Sequence, residues 1–106
     1  MVTALEPGLG ATGEYRLADD VIFPPILLVE AMAQVGGIAS GQRGGKPGVL
    51  AARRQVRLPA GLRPGGRLTV TATIVRSYGT MVLVAGEASL DGEPVASATL
   101  TLALEE

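Results

Sequence analysis

The chain has 106 residues and a formal net charge of −1, which is the size of one small domain and gives no overall attraction to nucleic acid or to an anionic membrane surface. Cysteine and histidine are both absent, so these residues contain no disulfide, no thiolate nucleophile, no imidazole base and neither of the two commonest soft metal ligands. We therefore expect one domain over residues 1–106 that uses no metal and no cofactor.

The first part of the sequence predicts two short strands. Residues 2–7 end at Pro7–Gly8, and a second strand is predicted over residues 11–18 after a glycine-containing turn. Neither a basic, apolar leader nor a run of about 20 apolar residues is visible. We therefore expect a cytoplasmic protein with no membrane-spanning segment.

Residues 22–37, with the sequence IFPPILLVEAMAQVGG, predict a helix over about residues 25–40. Proline is accepted in the first turn of a helix, and glycines commonly end one. Ten of the fourteen residues from 26 to 39 are apolar and they are not confined to one stripe, which is typical of a helix surrounded by other elements. Glu30 lies in its middle, so we expect this carboxyl to be buried in the core.

Beyond a polar, glycine-rich loop over residues 41–48, the apolar residues alternate with a period of two. Strands are predicted over residues 48–58, 67–75, 81–90 and 93–104. The pair Asp91–Gly92 is typical of a two-residue hairpin turn. Two strands, one helix and four strands predict an α+β domain, in which an antiparallel sheet curls around one central buried helix.

The charged residues are distributed unevenly along the chain. Eight basic residues and no acidic ones lie between residues 42 and 76, which indicates a local positive surface suited to docking an acidic partner or phosphate groups. The candidate residues are Arg53, Arg54 and Arg57. The alternative is that these arginines are solvated, some of them paired with acidic neighbours. Nucleic acid is not expected, because aromatic residues are scarce and no known motif is present.

The segment IFPPILLVEAMAQVGG resembles the central helix of the hot-dog-fold (3R)-hydroxyacyl-acyl carrier protein dehydratases, where an aromatic-Pro-Gly turn precedes an aliphatic-Glu-Ala-Met-Ala-Gln helix. The similarity covers about residues 2–104 and continues through GVLAARRQVRLPAGLRPGGRL, where Arg57 and Pro64–Gly65 match, and through DGEPVASATLTLAL. The resemblance implies a hot-dog fold and a dimer with its two sheets joined side by side. It also implies an acyl tunnel between the subunits, with thioesters of acyl carrier protein or coenzyme A as partners.

The resemblance places the family's catalytic glutamate at Glu30, and Gln34 follows one turn later, where it can orient the carboxyl. The family's catalytic histidine has no counterpart in this chain. An ungapped alignment places Arg16 at the histidine position, and the alternative alignment treats the loop that carries the histidine as deleted. Pro25 replaces the glycine whose N–H polarises the thioester carbonyl, and proline has no N–H. Such losses cost about 10²–10³ in rate for the donor and about 10²–10⁴ for the proton-transfer partner. We expect dehydratase activity to be lost or reduced.

Three functions stay open, and whether the chain is an enzyme depends on which of them holds. It is a divergent dehydratase relative that binds acyl thioesters, a thioesterase in which Glu30 activates water or attacks, or a scaffold without an acyl site. In the first case Glu30 is a surviving catalytic group or an inherited acid bonded to Gln34 or to an arginine across a dimer interface. Asp19 and Asp20 either cap the helix or act as acids. The resemblance implies a homodimer, with a heterodimer containing an active homologue that supplies the histidine as the alternative.

Overall fold

The structure, a computed structural model, describes residues 2–18, 26–40, 49–58 and 65–103. It contains one helix and six strands, which in chain order are β1 Val2–Glu6, β2 Gly10–Arg16, α1 Ile26–Ala39, β3 Val49–Arg57, β4 Arg67–Tyr78, β5 Met81–Leu90 and β6 Glu93–Ala103. The strands form one antiparallel sheet with the order β1-β2-β4-β5-β6-β3. The α+β prediction, with its antiparallel sheet and single helix, is confirmed.

Alternating side chains give the sheet one buried face and one outer face. In β4, Leu68, Val70 and Ala72 are buried, whereas the threonines between them are half-buried or exposed. Strands β5 and β6 follow the same alternation, and they meet at a turn in which Asp91 and Gly92 have φ angles of 49° and 88°. Positive φ at both turn residues matches the right-handed twist of the flanking strands, so the predicted hairpin forms.

Helix α1 packs against the buried face of the sheet, and this contact forms the core. Leu28, Met32 and Val35 are fully buried there. The approach is closest at Gly86, where an added Cβ would lie 2.8 Å from the Met32 Sδ, and at Gly36, where it would lie 3.2 Å from a Leu102 methyl carbon. Glycine at these two positions therefore allows the helix and the sheet to come together.

The prediction of a sheet around one helix holds, but the expectation that this helix is enclosed on every side is wrong for the single chain. The sheet covers one side of α1, while Leu27, Glu30, Gln34 and Ile38 are exposed on the other. The described residues include no buried polar or charged side chain, so the expected burial of the Glu30 carboxyl is also wrong here. A helix of 14 residues with ten apolar positions can still present an exposed stripe if those positions are unequally covered.

Element boundaries agree closely with the prediction, with one clear difference. Strand β4 continues to Tyr78, so the hairpin turn lies at Gly79–Thr80 rather than beginning at Ser77. Predictions about Asp19, Asp20 and Pro25, and about the loop over residues 41–48, lie outside the described residues. No helix among the described residues is long and apolar enough to cross a membrane.

Candidate functional site

The predicted catalytic pair lies on an exposed stripe of α1, which we call the helix stripe and which consists of Leu27, Glu30, Gln34 and Ile38. Positions three or four apart along a helix share one face, so these side chains lie one above the other. The two apolar members are 36% and 38% exposed, and they flank the carboxyl and the amide. The stripe therefore combines one acid, one amide and uncovered aliphatic surface.

The polar members of the stripe have no partner in the part of the chain that the structure describes. Neither Glu30 nor Gln34 makes a hydrogen bond or ion pair there, so the predicted hydrogen bond between them does not form in the single chain. An exposed carboxylate in water is a weak catalyst, because water competes for its proton and weakens its electrostatic effect. The stripe acquires catalytic potential only if another surface covers it.

Strand β3 lies at one edge of the sheet, and β1 lies at the opposite edge. Strand β3 pairs with β6 on one side, and within the described residues no strand pairs with its other side. All its described side chains are exposed, including Val56, and Leu58 just after the strand is exposed as well. An unpaired edge offers free N–H and C=O groups to another strand.

The three arginines predicted for docking do not share one face of β3. Arg53 lies opposite Leu100, which is buried beneath the helix, whereas Arg54 and Arg57 lie opposite Thr99 and Ser97 of the outer face. Directly opposite residues of an antiparallel pair point to the same side of the sheet. Arg53 is therefore on the side of α1, and the other two are on the side turned away from it.

A local irregularity separates these arginines. Gln55 has a φ of 50°, which is uncommon for a residue with a side chain, and the register of β3 against β6 shifts between Arg54 and Arg57. The Thr99 hydroxyl donates to the Gln55 side-chain oxygen at 3.4 Å. This β-bulge re-aims the end of the edge strand.

Two further basic residues of this segment lie elsewhere on the sheet. Arg67 and Arg76 belong to β4, which β5 and β6 separate from β3. That separation is about 14 Å across three strand spacings. Arg76 donates to the Tyr78 hydroxyl at 3.0 Å and its guanidinium lies 5.7 Å from that ring's centre. The basic segment of the sequence thus contributes to several surfaces rather than to one patch.

Arg16 does not take the place of the missing histidine. It is exposed and directly opposite Arg67 in the register of β2 and β4. Its neighbour Leu17 is buried, so Arg16 points away from the helix and from Glu30. The sequence prediction did not include Leu27 and Ile38. Together with Glu30 and Gln34 they occupy positions i, i+3, i+7 and i+11, a spacing that places all four on one face of a helix.

Sequence comparison relates the chain to a group of dehydratases. No family model matches it. It is 35% identical over 86 residues to the 3-hydroxyacyl-[acyl-carrier-protein] dehydratase FabZ of Streptococcus pneumoniae strain Hungary19A-6, an alignment that covers 78% of this chain and 61% of that protein. The chain thus spans about three fifths of the length of the curated relatives that it matches.

Structural comparison extends this likeness to nearly the whole chain. The dehydratase heterocomplex ApeI:P from Xenorhabdus doucetiae is similar with a TM-score of 0.84 and 18% identity, over 99% of this chain and 80% of that one. A hypothetical thioesterase from Streptococcus pneumoniae TIGR4, solved with coenzyme A, is similar with a TM-score of 0.78 and 14% identity, over 97% of this chain and 86% of that one. At such identities the likeness establishes the fold.

Proposed function

We propose that this chain, which has a hot-dog fold and resembles the FabZ dehydratases in sequence, binds acyl thioesters of acyl carrier protein or coenzyme A along the helix stripe, beneath a second subunit. The observation that carries the proposal is the position of Glu30: a carboxyl on an uncovered, largely aliphatic helix face, in a fold shared with a dehydratase complex and with a thioesterase that holds coenzyme A. Aliphatic surface on either side of a single acid suits an acyl chain with a polar reacting end.

A second subunit supplies the cover that the single chain lacks. Pairing of two β3 edges would satisfy their free backbone groups and join two sheets side by side. The exposed Leu27 and Ile38 would then lose their contact with water, and the Glu30 carboxyl would move into a drier environment. The partner is a second copy of this chain or a homologue, as the heterocomplex among the structural relatives suggests.

Dehydration by this chain alone is reduced or lost in this proposal. The reaction needs a proton acceptor and a proton donor, and the sequence offers the Glu30 carboxyl without any histidine. Pro25 further lacks the backbone N–H that would polarise the thioester carbonyl. An active homologue in a mixed dimer would contribute the histidine, which makes this chain a supporting subunit.

The arginines of β3 contribute separately to binding. Arg53 is on the side of the sheet that carries α1, where it can approach the phosphate of a carrier's prosthetic group or the partner's acid. Arg54 and Arg57 are exposed on the opposite side, where they suit the acidic surface of a carrier protein. A salt-sensitive affinity is expected from both groups.

Thioester hydrolysis is the second candidate, and the structural likeness to a hypothetical thioesterase favours it. A carboxylate that water can reach can activate a water molecule for attack on a thioester carbonyl without a histidine. The hypothetical thioesterase among the structural relatives shows that this fold accommodates coenzyme A. The third candidate is a scaffold without an acyl site.

One experiment separates the three functions. The purified protein is incubated with 3-hydroxyacyl and saturated acyl thioesters, and enoyl formation, thiol release and thioester binding are measured. We expect binding with little or no enoyl product, whereas rapid enoyl formation would contradict the proposed loss of dehydration. Thiol release that Glu30→Gln abolishes would establish the thioesterase. The matched control is Glu87→Gln, which removes an exposed acid from the outer face. Absence of both binding and turnover would leave only the structural role.

A further inference from the structure

A cleft of about 850 Å³ opens at the end of β2 and β4, beside the turn that joins β5 to β6. Its volume lies within the range of about 300–1,000 Å³ that is usual for small-molecule sites. The residues that line it are Glu14, Tyr15, Arg16, Gly66, Arg67, Thr69, Asp91 and Gly92. Four of them lie on the outer face of the sheet at paired positions of β2 and β4: Glu14 opposite Thr69, and Arg16 opposite Arg67. The cleft is therefore separate from the helix stripe.

Two arginines stand directly opposite each other in this cleft. Arg16 pairs with Arg67 in the register of β2 and β4, which brings their Cβ atoms to about 4.5–5.5 Å. Like charges in such a position repel and destabilise the sheet. In the part of the chain that is described, neither guanidinium makes an ion pair or a hydrogen bond. A bound anion would relieve this repulsion.

Two acids also line the cleft. Glu14 and Asp91 both have interactions of their own. Asp91 Oδ1 also accepts the backbone N–H of Arg67 at 2.9 Å, while the Asp91 N–H donates to the Arg67 carbonyl at 2.9 Å. The Asp91 carboxylate therefore holds the turn between β5 and β6 against the first residue of β4, at the rim of the cleft.

The wall of the cleft is held by backbone hydrogen bonds. The Leu17 N–H donates to the Gly66 carbonyl and the Gly65 N–H donates to the Ala18 carbonyl, both at 3.0 Å. Gly66 has a φ of 91°, and a Cβ there would lie 2.7 Å from the Asp91 carboxylate. Only glycine fits between the loop and the turn, so the site's shape is set before any ligand enters.

We propose that this cleft binds the phosphate or diphosphate group of a small molecule between the Arg16 and Arg67 guanidinium groups. Two guanidinium groups present several N–H donors to one phosphoryl group, a geometry that favours bidentate bonds. The Thr69 hydroxyl, on the same face and next to both arginines in the ladder, provides a further donor. The site does not depend on the proposed thioester function.

Binding of inorganic pyrophosphate and of adenosine 3′,5′-bisphosphate to the purified protein tests the proposal by calorimetry and by thermal unfolding. We expect saturable binding below about 10 mM and a higher Tm with ligand. Arg16→Gln and Arg67→Gln should each weaken binding by about tenfold or more, because each removes charge-assisted hydrogen bonds. Tighter binding of the nucleotide would identify a nucleotide ligand, and equal binding would identify the free phosphate group.

Arg76→Gln is the matched control, since Arg76 lies on the same strand but outside the cleft. It should bind both probes like the original chain. Without ligand, Arg16→Gln should unfold at the same or a higher temperature, because one of two like charges has gone, and this separates loss of binding from loss of folding. Binding that survives the double variant Arg16→Gln/Arg67→Gln, or no saturable binding at all, would overturn the proposal.

Discussion

Replacing Leu27 and Ile38 together by glutamine should weaken subunit association without unfolding the helix. Both side chains lie on the helix stripe, and glutamine is a good helix former. Burying a whole leucine or isoleucine side chain is worth about 1.5–3 kcal/mol. These two keep 36% and 38% of their surface exposed, so covering each would add about 0.6–1 kcal/mol. Four such side chains per dimer contribute about 2–4 kcal/mol, or about 30- to 1,000-fold in the dissociation constant.

Sedimentation equilibrium over a range of protein concentrations measures this change directly. The matched control is Val75→Gln, because Val75 is 57% exposed on β4 and lies outside the helix stripe. The control should associate like the original chain, and far-ultraviolet circular dichroism should show the same helix content in all three proteins. An unchanged dissociation constant in the double variant, or an original chain that stays monomeric, would refute the reasoning that a second copy of this chain covers this stripe.

Three further substitutions test the local structure by chemical denaturation. Gly86→Ala should destabilise the fold by about 1–3 kcal/mol, since the new Cβ would lie 2.8 Å from the Met32 Sδ. The cost should be smaller in a Met32→Ala background, where the side chain that it meets has been shortened. An equal cost in both backgrounds would contradict the clash. Gln55→Gly should stabilise the fold by up to about 1 kcal/mol, because glycine tolerates the φ of 50° at this position. Arg54→Gly, the control, should destabilise it. The same change in stability for both variants would argue against strain at the bulge. Asp91→Ala should cost about 1–2 kcal/mol through the lost bond to the Arg67 N–H, while Asp91→Asn, which keeps an acceptor and tolerates positive φ, should stay within about 0.5 kcal/mol.

The strands and the main hairpin were predictable because their signals are local. The alternation in β4 places Leu68 and Val70 on one face whatever else the chain does, and the Asp91–Gly92 pair determines a turn from two residues. Helix α1 ends at Ala39, close to the predicted end, although Gly36 and Gly37 lie within it. Such features need no knowledge of distant contacts.

The exposure of Glu30 could not be predicted from composition, because it depends on how many sides of the helix are covered. Apolar residues all around α1 are compatible with a helix in a core and with a helix that one sheet and one partner share. The single sheet leaves Leu27, Glu30 and Ile38 uncovered. A helical-wheel placement of these positions would have indicated the stripe, but not which side the sheet occupies.

The division of the basic residues also depends on long-range pairing. Arg53, Arg54 and Arg67 look like one cluster in sequence, yet β3 pairs with β6 and β4 pairs with β2 and β5. The opposition of Arg16 and Arg67, 51 positions apart, results from the register of β2 and β4. No local signal in the sequence specifies that register.

Photo-crosslinking with an acyl-thioester analogue that carries a diazirine near the end of its acyl chain tests the central claim most directly. The claim is that acyl thioesters bind along the helix stripe. The label should be found by mass spectrometry on the peptide containing α1, residues 26–39, and an unlabelled thioester should compete it away. Labelling confined to β1 or to the outer face of β4–β6, or labelling that competitor does not reduce, would contradict it.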